Sequence, residues 1–378
     1  MPPPVATLES PPLTAATHPV ADEARRGLTS TPKSLPPWLF YDAPGSRLFE
    51  QITTLPEYYL TRTERSLFTA HAAEIFELVT SSTNNQQLTT SNSPLTIAEL
   101  GAGTAAKTGI LLRALTRQQP HVLYQPIDIS PTALDQARAQ IELTIPGVTV
   151  RPRIANYITE SVRIERPPQS SGSPASTGVP GELVHRGGSS LAGAGARILA
   201  LYIGSSIGNF SPAEARQILT RLRSELAPGD ALLLGADLAP CLPGTSPAKS
   251  VAILLAAYND AAGVTAAFNR NILARLNREL GADFHPNRFL HRALWNPAHS
   301  RIEIYLESLA AQTVRIPANS SGPALTLRFA PGETIHTENS YKFTPAAISA
   351  LLAASRFTPT RTFTDPANLF AVTLAAAI

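Results

Sequence analysis

The sequence predicts an α/β protein: a parallel sheet with crossover helices, into which a second, α+β segment is inserted. Three observations carry this. From Leu95 to Asp237, short apolar runs alternate with stretches of helical period, and strand–helix–strand order favours parallel pairing. A glycine-rich turn, Glu99-Leu-Gly-Ala-Gly-Thr104, stands between the first of these strands and its helix. From about Ala239 to Lys342 the alternation stops, and two helical stretches are followed by runs of strand character.

Taken in order, residues 1–30 are rich in Pro, Ala and Thr and read as a disordered arm. Asp42 to His71 has helical pattern broken at Leu55-Pro56-Glu57, and the polar run from Ser81 to Pro94 reads as a surface loop. Leu95–Leu100 is the first sheet strand, with a helix expected over Ala105–Leu115. Val122–Asp128 is the second strand. Ser130-Pro131 then supplies an N-cap and a proline at the first helical position, for a helix running to about Leu143. Val148–Ile154 is the third strand, and the Pro/Gly/Ser-rich stretch 165–196 reads as an insertion loop. Ile198–Ile203, a helix over Pro212–Leu226 and Ala231–Asp237 continue the alternation. Beyond it, helices are expected over Val251–Tyr258 and Thr265–Leu280, and strands over Arg301–Ser308, Gln312–Ile316 and Leu325–Phe329. A helix at Pro345–Ser355 and strands at Phe357–Thr362 and Leu369–Leu374 would close the sheet.

Bulk properties exclude several functions. The chain has 378 residues, a net charge of +3 and no Lys/Arg block, which argues against nucleic acid or a membrane surface as partner. The lone Cys241 permits neither an intramolecular disulfide nor a cysteine-rich metal site, so no metal is expected. No apolar run reaches the ~18 residues of a membrane span, and the N-terminus lacks a secretory pattern. A cytoplasmic monomer is the expectation.

The turn at Gly101 and Gly103 allows close approach of backbone to ligand, and the helix behind it offers free N–H groups. Asp128, ending the next strand, can accept hydrogen bonds from a ribose diol. Together they suggest an adenosine-containing cofactor. They do not separate a dinucleotide from S-adenosylmethionine, although Ala106 stands where the dinucleotide fingerprint has its third glycine.

A wider set of motifs separates them. Tyr41-Asp42-x-x-Gly45-Ser46-x-Leu48-Phe49 is followed by Ile52-Thr53-x-Leu55-Pro56-Glu57-Tyr58-Tyr59-x-Thr61-Arg62-x-Glu64. Glu99-Leu100-Gly101-x-Gly103-Thr104-x-x-Lys107-Thr108 and Gly204-Ser205-x-Ile207-Gly208-Asn209-Phe210 come next. Tyr258-x-Asp260, Phe268-Asn269-x-Asn271 and Thr337-Glu338-x-Ser340-x-Lys342-Phe343 complete the set. From about Leu35 onward the chain resembles the histidine-specific methyltransferases of ergothioneine biosynthesis. That resemblance implies a Rossmann-like class I methyltransferase fold with an inserted substrate-binding domain. The cofactor domain would be 63–238 and 343–378, and the substrate domain 31–62 and 239–342. The implied reaction is transfer of methyl groups from S-adenosylmethionine to the α-amine of L-histidine, giving the trimethylated betaine hercynine.

The resemblance also assigns residues. Gly101, Gly103, Lys107 and Asp128 would hold the cofactor, with Asn156 and Tyr157 near the adenine, where the family usually has Asp beside an aromatic. Asn209 and Tyr258 would hold the substrate carboxylate, Tyr41 and Tyr58 would surround the amine as catalytic residues, and Glu338 and Ser340 would read the imidazole. Residues two apart on a strand share a face, so an acidic acceptor and a hydroxyl can meet the two ring nitrogens, the hydroxyl in either role. Ile304 stands where the histidine enzymes often carry Met. Plainer roles stay open: Asn209 as a cap for the helix at Pro212, Tyr258 as core, Glu338 to Ser340 as a strand edge. Two other functions also stay open: methylation of another amino acid such as tryptophan, and non-catalytic binding of an adenosyl ligand.

Overall fold

The computed structural model describes residues 19–81, 94–166, 197–240, 249–319 and 321–378. Cys241, most of the polar 81–94 stretch and all but the first two residues of the 165–196 insertion lie outside the described residues. In chain order the elements are α1 (Pro19–Leu28), β1 (Lys33–Ser34), α2 (Ala43–Thr54), α3 (Tyr59–Ser81), β2 (Leu95–Leu100), α4 (Thr108–Leu115), β3 (Val122–Asp128) and α5 (Pro131–Thr144). They continue with β4 (Val148–Val150), β5 (Arg153–Ile154), β6 (Arg197–Tyr202), α6 (Pro212–Ser224), β7 (Ala231–Asp237), α7 (Val251–Ala256), α8 (Val264–Leu280), β8 (Phe289–Asn296) and β9 (Arg301–Ser308). The last are β10 (Gln312–Ile316), β11 (Leu325–Phe329), β12 (Thr334–Tyr341), α9 (Pro345–Ala354), β13 (Phe357–Thr364) and β14 (Phe370–Ala377).

These elements form two compact units. The larger comprises the described residues from Thr53 to Ala257, Trp295–Ile302 and Asn339–Ile378. Its sheet runs β13-β14-β7-β6-β2-β3-β4, with β5 also paired to β3. The pairings among β2, β3, β4, β6 and β7 are parallel, and β14 enters antiparallel to both β7 and β13. This is a Rossmann-like α/β sheet. Every residue of β2 and β7 is buried, as expected for strands covered on both faces by helices. Strand order reverses between β2 and β6. The crevice beyond their carboxyl ends is therefore the place where such sheets take ligands.

The smaller unit comprises the described residues up to Ile52, Tyr258–Leu294 and Glu303–Glu338. It holds α1, α2, α8, the antiparallel pair β10–β11 and most of a four-stranded sheet ordered β1-β12-β9-β8. Strands β9 and β10 alternate buried with more exposed residues, the pattern of a sheet with one covered face.

The structure corrects several sequence expectations. Residues 19–28 belong to a helix rather than to a disordered arm: Val20, Ala21, Ala24 and Leu28 make a buried stripe, and α1 packs on α8. Helix α4 begins at Thr108, not Ala105, because Ala105 takes a positive φ of 54°. The third strand is split into β4 and β5 around Arg151-Pro152, since proline cannot donate to the ladder. The insertion is tethered at its start, where the Gln125 side chain exchanges hydrogen bonds with the Glu165 backbone at 2.7 and 2.8 Å.

Candidate functional site

Three consecutive turns at the carboxyl edge of the large sheet assemble the proposed cofactor residues. After β2 the backbone enters the left-handed region at Gly101 (φ 65°) and Gly103 (φ 51°). Glycine adopts that conformation without the steric cost a side chain carries. The Gly101 N–H donates to Ile127 O at 2.8 Å, which ties the turn to β3. At the end of β3, Asp128 Oδ2 accepts from Gly103 N at 3.0 Å and Oδ1 accepts from Ser130 N at 3.0 Å. After β5, Tyr157 reaches back over the turn, and a Cβ on Gly101 would lie 3.3 Å from its hydroxyl. Burial pushes the Tyr157 phenol up to about 12, so it stays a neutral donor. Gly101, Gly103, Asp128 and Tyr157 therefore converge.

Such a cradle fits an adenosine-bearing ligand in three respects: a glycine turn with close backbone, an acidic acceptor one strand away, and an aromatic ring beside both. Asn156 lies next to this group, but its Oδ1 accepts from Ile158 N at 3.1 Å. Its carbonyl thus shapes the turn carrying Tyr157 while keeping a second lone pair.

Lys107 sits elsewhere in this hydrogen-bonding scheme. Its Nζ is 2.5 Å from Glu64 Oε2, and Glu64, fully buried in α3, also accepts from Gly204 N at 2.8 and 3.0 Å. A Cβ on Gly204 would come within 2.7 Å of Lys107 Nζ. Lys107 thus locks the turn after β2 to the turn after β6.

That second turn carries Asn209, at the end of a short 3-10 helix over Ser206–Asn209. Asn209 does not cap the following helix. Ser211 does, in a capping box with Glu214, and Asn209 is half-buried. A Cβ on Gly208 would stand 2.7 Å from Tyr341 O, so the Asn209 turn lies against the end of β12, one residue from Ser340.

Ser340 is buried and belongs to an ionic cluster. Lys342 Nζ donates to Ser340 Oγ at 2.9 Å and pairs with Asp237 Oδ2 at 2.8 Å. Asp237 Oδ1 accepts from Tyr59 OH at 2.7 Å and Lys249 Nζ at 2.5 Å, and Asp237 N donates to Ser205 Oγ at 2.9 Å. Although burial alone would raise the Asp237 carboxyl, the two ammonium groups hold it below its usual range. The same burial lowers Lys249 to about 8. Tyr58, half-buried, immediately precedes α3 and Tyr59.

In the smaller unit, Tyr41 is 44% exposed, with Phe49 and Phe268 each 5.7 Å away in edge-on packing. Tyr258 is buried, and its carbonyl is 2.8 Å from His291 Nε2. A carbonyl only accepts, so Nε2 carries the proton. Nδ1 then accepts from Asn269 Nδ2 at 2.9 Å, while the same amide donates to Tyr305 O at 3.0 Å. Asn269 Oδ1 accepts from Thr337 Oγ1 at 2.9 Å. Tyr258 and the Thr337-Glu338 stretch of β12 are thereby joined through one buried polar chain. Glu338 itself is half-buried. Ile304 is buried.

Sequence reasoning assigned no role to Glu64, Glu99, Asp237, Lys249 or His291. Glu99 accepts from Thr108 Oγ1 at 2.7 Å and Tyr124 OH at 2.5 Å, and burial raises its carboxyl to about 7. Glu64 and Glu99 stood inside the quoted motifs and could have been flagged there. Lys249 and His291 stood outside any motif.

Comparison with known proteins places this geometry in a family. Residues 20–377 match the family model described as histidine-specific methyltransferase, SAM-dependent. The chain is 39% identical over 353 residues to Histidine N-alpha-methyltransferase of Mycolicibacterium smegmatis, covering 93% of each chain. It is 38% identical over 350 residues to the protein of the same name from Mycobacterium tuberculosis, covering 93% of this chain and 92% of that one. A 250-residue stretch, 66% of this chain and 23% of the relative, is 29% identical to Ergothioneine biosynthesis protein 1 of Neurospora crassa. The chain belongs to the histidine-specific, S-adenosylmethionine-dependent methyltransferase family.

Proposed function

We propose that this protein methylates the α-amino group of L-histidine, in successive transfers ending at trimethylhistidine, within ergothioneine biosynthesis in the cytoplasm. The observation that carries the reading is the near full-length kinship with two proteins named for this activity. When bound, S-adenosylmethionine supplies an electrophilic sulfonium methyl. The protein's part is alignment, exclusion of competing geometries and handling of the departing amine protons. Gly101, Gly103, Asp128, Asn156 and Tyr157 hold the cofactor, and Lys107 acts on it through the position of the two turns it bridges. Asn209 and Tyr258 bind the substrate carboxylate, Tyr41 and Tyr58 orient the neutral amine and pass its protons to water, and Glu338 and Ser340 bind the ring.

The test is mass spectrometry of the twenty amino acids incubated singly with the protein and S-adenosylmethionine. Histidine alone is expected to gain one, two and then three methyl groups. Methylation of a different amino acid in its place, or of none, would reject the proposal.

A further inference from the structure

Strand β8 turns Phe289 and His291 inward, and His291 is 5% exposed. A polar ring in that position costs stability unless its nitrogens find partners. Both do: Nε2 is 2.8 Å from Tyr258 O, and Nδ1 is 2.9 Å from Asn269 Nδ2.

The proton positions follow from either end of this chain independently. Tyr258 O only accepts, so Nε2 carries the hydrogen. At the other end, Asn269 Nδ2 also donates to Tyr305 O at 3.0 Å, and Asn269 Oδ1 accepts from Thr337 Oγ1 at 2.9 Å. Turning the amide over would set its oxygen against the Tyr305 carbonyl. The amide nitrogen is therefore what His291 Nδ1 meets, and Nδ1 accepts. Both ends give the same neutral tautomer. Burial lowers the His291 pKa below its ordinary value, and the hydrogen bond to Tyr258 O only partly offsets this. No buried side-chain nitrogen or oxygen of His291, Asn269 or Thr337 lacks a partner.

All of these residues belong to the smaller unit. The chain is anchored on the paired strands β9 and β12, where Thr337 Oγ1 also approaches Ile304 O at 3.1 Å. It runs through Asn269 of α8 and His291 of β8 to the main chain of Tyr258. Tyr258 lies between α7 and α8, outside any helix or strand. The sheet is thus the fixed end and Tyr258 the held end.

We propose that His291 is a positioning residue for substrate binding: its neutral ring holds the Tyr258 main chain where the Tyr258 side chain meets the α-carboxylate. This rests on the proposed reading in which Tyr258 binds that carboxylate. His291 does not itself touch the substrate.

The test is steady-state kinetics of the full chain at one pH, with L-histidine and S-adenosylmethionine varied in turn. His291→Asn keeps an acceptor in the place of Nδ1 and removes the donor to Tyr258 O. It should raise KM for L-histidine about tenfold, while kcat and KM for S-adenosylmethionine change by less than about twofold. His291→Gln carries an amide nitrogen in the place of Nε2 and should recover most of that loss. A general loss of packing would move both KM values and would not separate Asn from Gln.

A double-mutant cycle ties the effect to Tyr258. Tyr258→Phe should itself raise KM for L-histidine. His291→Asn in that background should add less than about twofold, because both changes act on one contact. An unchanged histidine KM in His291→Asn, or an added loss as large as in the wild-type background, would overturn the proposal. If His291→Asn does not fold, His291→Gln decides: a histidine KM raised as far as in Tyr258→Phe would overturn it, and a smaller rise would uphold it. An unchanged histidine KM in Tyr258→Phe would reject the carboxylate reading on which the proposal stands. A raised KM there beside a normal His291→Asn would reject only the role of His291.

Discussion

Glu99 shows how one buried group makes stability depend on pH. Burial raises its carboxyl from 4.5 to about 7, against the opposing hydrogen bonds from Thr108 and Tyr124. Between those two values the folded chain keeps a proton that the unfolded chain has released. Stability from this group is thus complete below about pH 4.5 and declines as pH rises through 7, because the unfolded state binds fewer protons there. Glu99→Gln removes the ionisation while keeping an oxygen for both hydroxyls. Relative to wild type, its unfolding free energy without cofactor should improve by about 2–3 kcal/mol between pH 5 and pH 8. Parallel pH profiles in urea unfolding would show that Glu99 does not carry a proton in the native state. Lys249 illustrates the opposite sign. Its ammonium is lowered to about 8 by the same cause, burial, and Asp237 limits the fall.

At the scale of elements, α1 repays a quantitative test. Leu28 is fully buried in the stripe that α1 turns towards α8. Leu28→Ala should cost about 2–5 kcal/mol of stability, as for other large-to-small changes in packed interiors, measured by thermal or urea unfolding. A change below about 0.5 kcal/mol, typical of surface positions, would mean that α1 is detached in solution. The sequence hid this helix because the Pro-rich stretch ahead of it dominates the composition of residues 1–30. Largely buried strands were legible: β2, β3 and β7 have the bounds expected from their apolar runs. Strand β8 was missed, and β12 was read only as the strand carrying Glu338 and Ser340 without its bounds, since half-buried strands such as Thr-Ile-His-Thr-Glu-Asn-Ser-Tyr mix polar and apolar residues without an apolar run. The glycine turn and Asp128 were legible for the same local reason as β2. The Asp237–Lys249–Lys342 cluster was not, because its members are distant in sequence and only the sheet and the end of β12 bring them together.

The larger unit depends on the chain completing a long excursion. β7 ends at Asp237 and its neighbour β14 begins at Phe370, and between them the sequence supplies α7, α8, β8 to β12, α9 and β13. The register from Phe370 opposite Asp237 to Ala376 opposite Ala231 spans all of β7. All seven β7 residues are buried, including Leu232, Leu233 and Leu234. Without β13 and β14, β7 would become a long apolar edge with unpaired backbone groups, a template for intermolecular pairing. A chain ended after Ser355 should therefore lose solubility and cooperative unfolding together, although the glycine turn, Asp128, Asn209, Glu338 and Ser340 are all still encoded in it. The soluble fraction after expression and the elution volume on size exclusion measure this. Recovery of a soluble, monodisperse truncated chain with a sharp thermal transition would show that the parallel strands hold the sheet without the C-terminal hairpin.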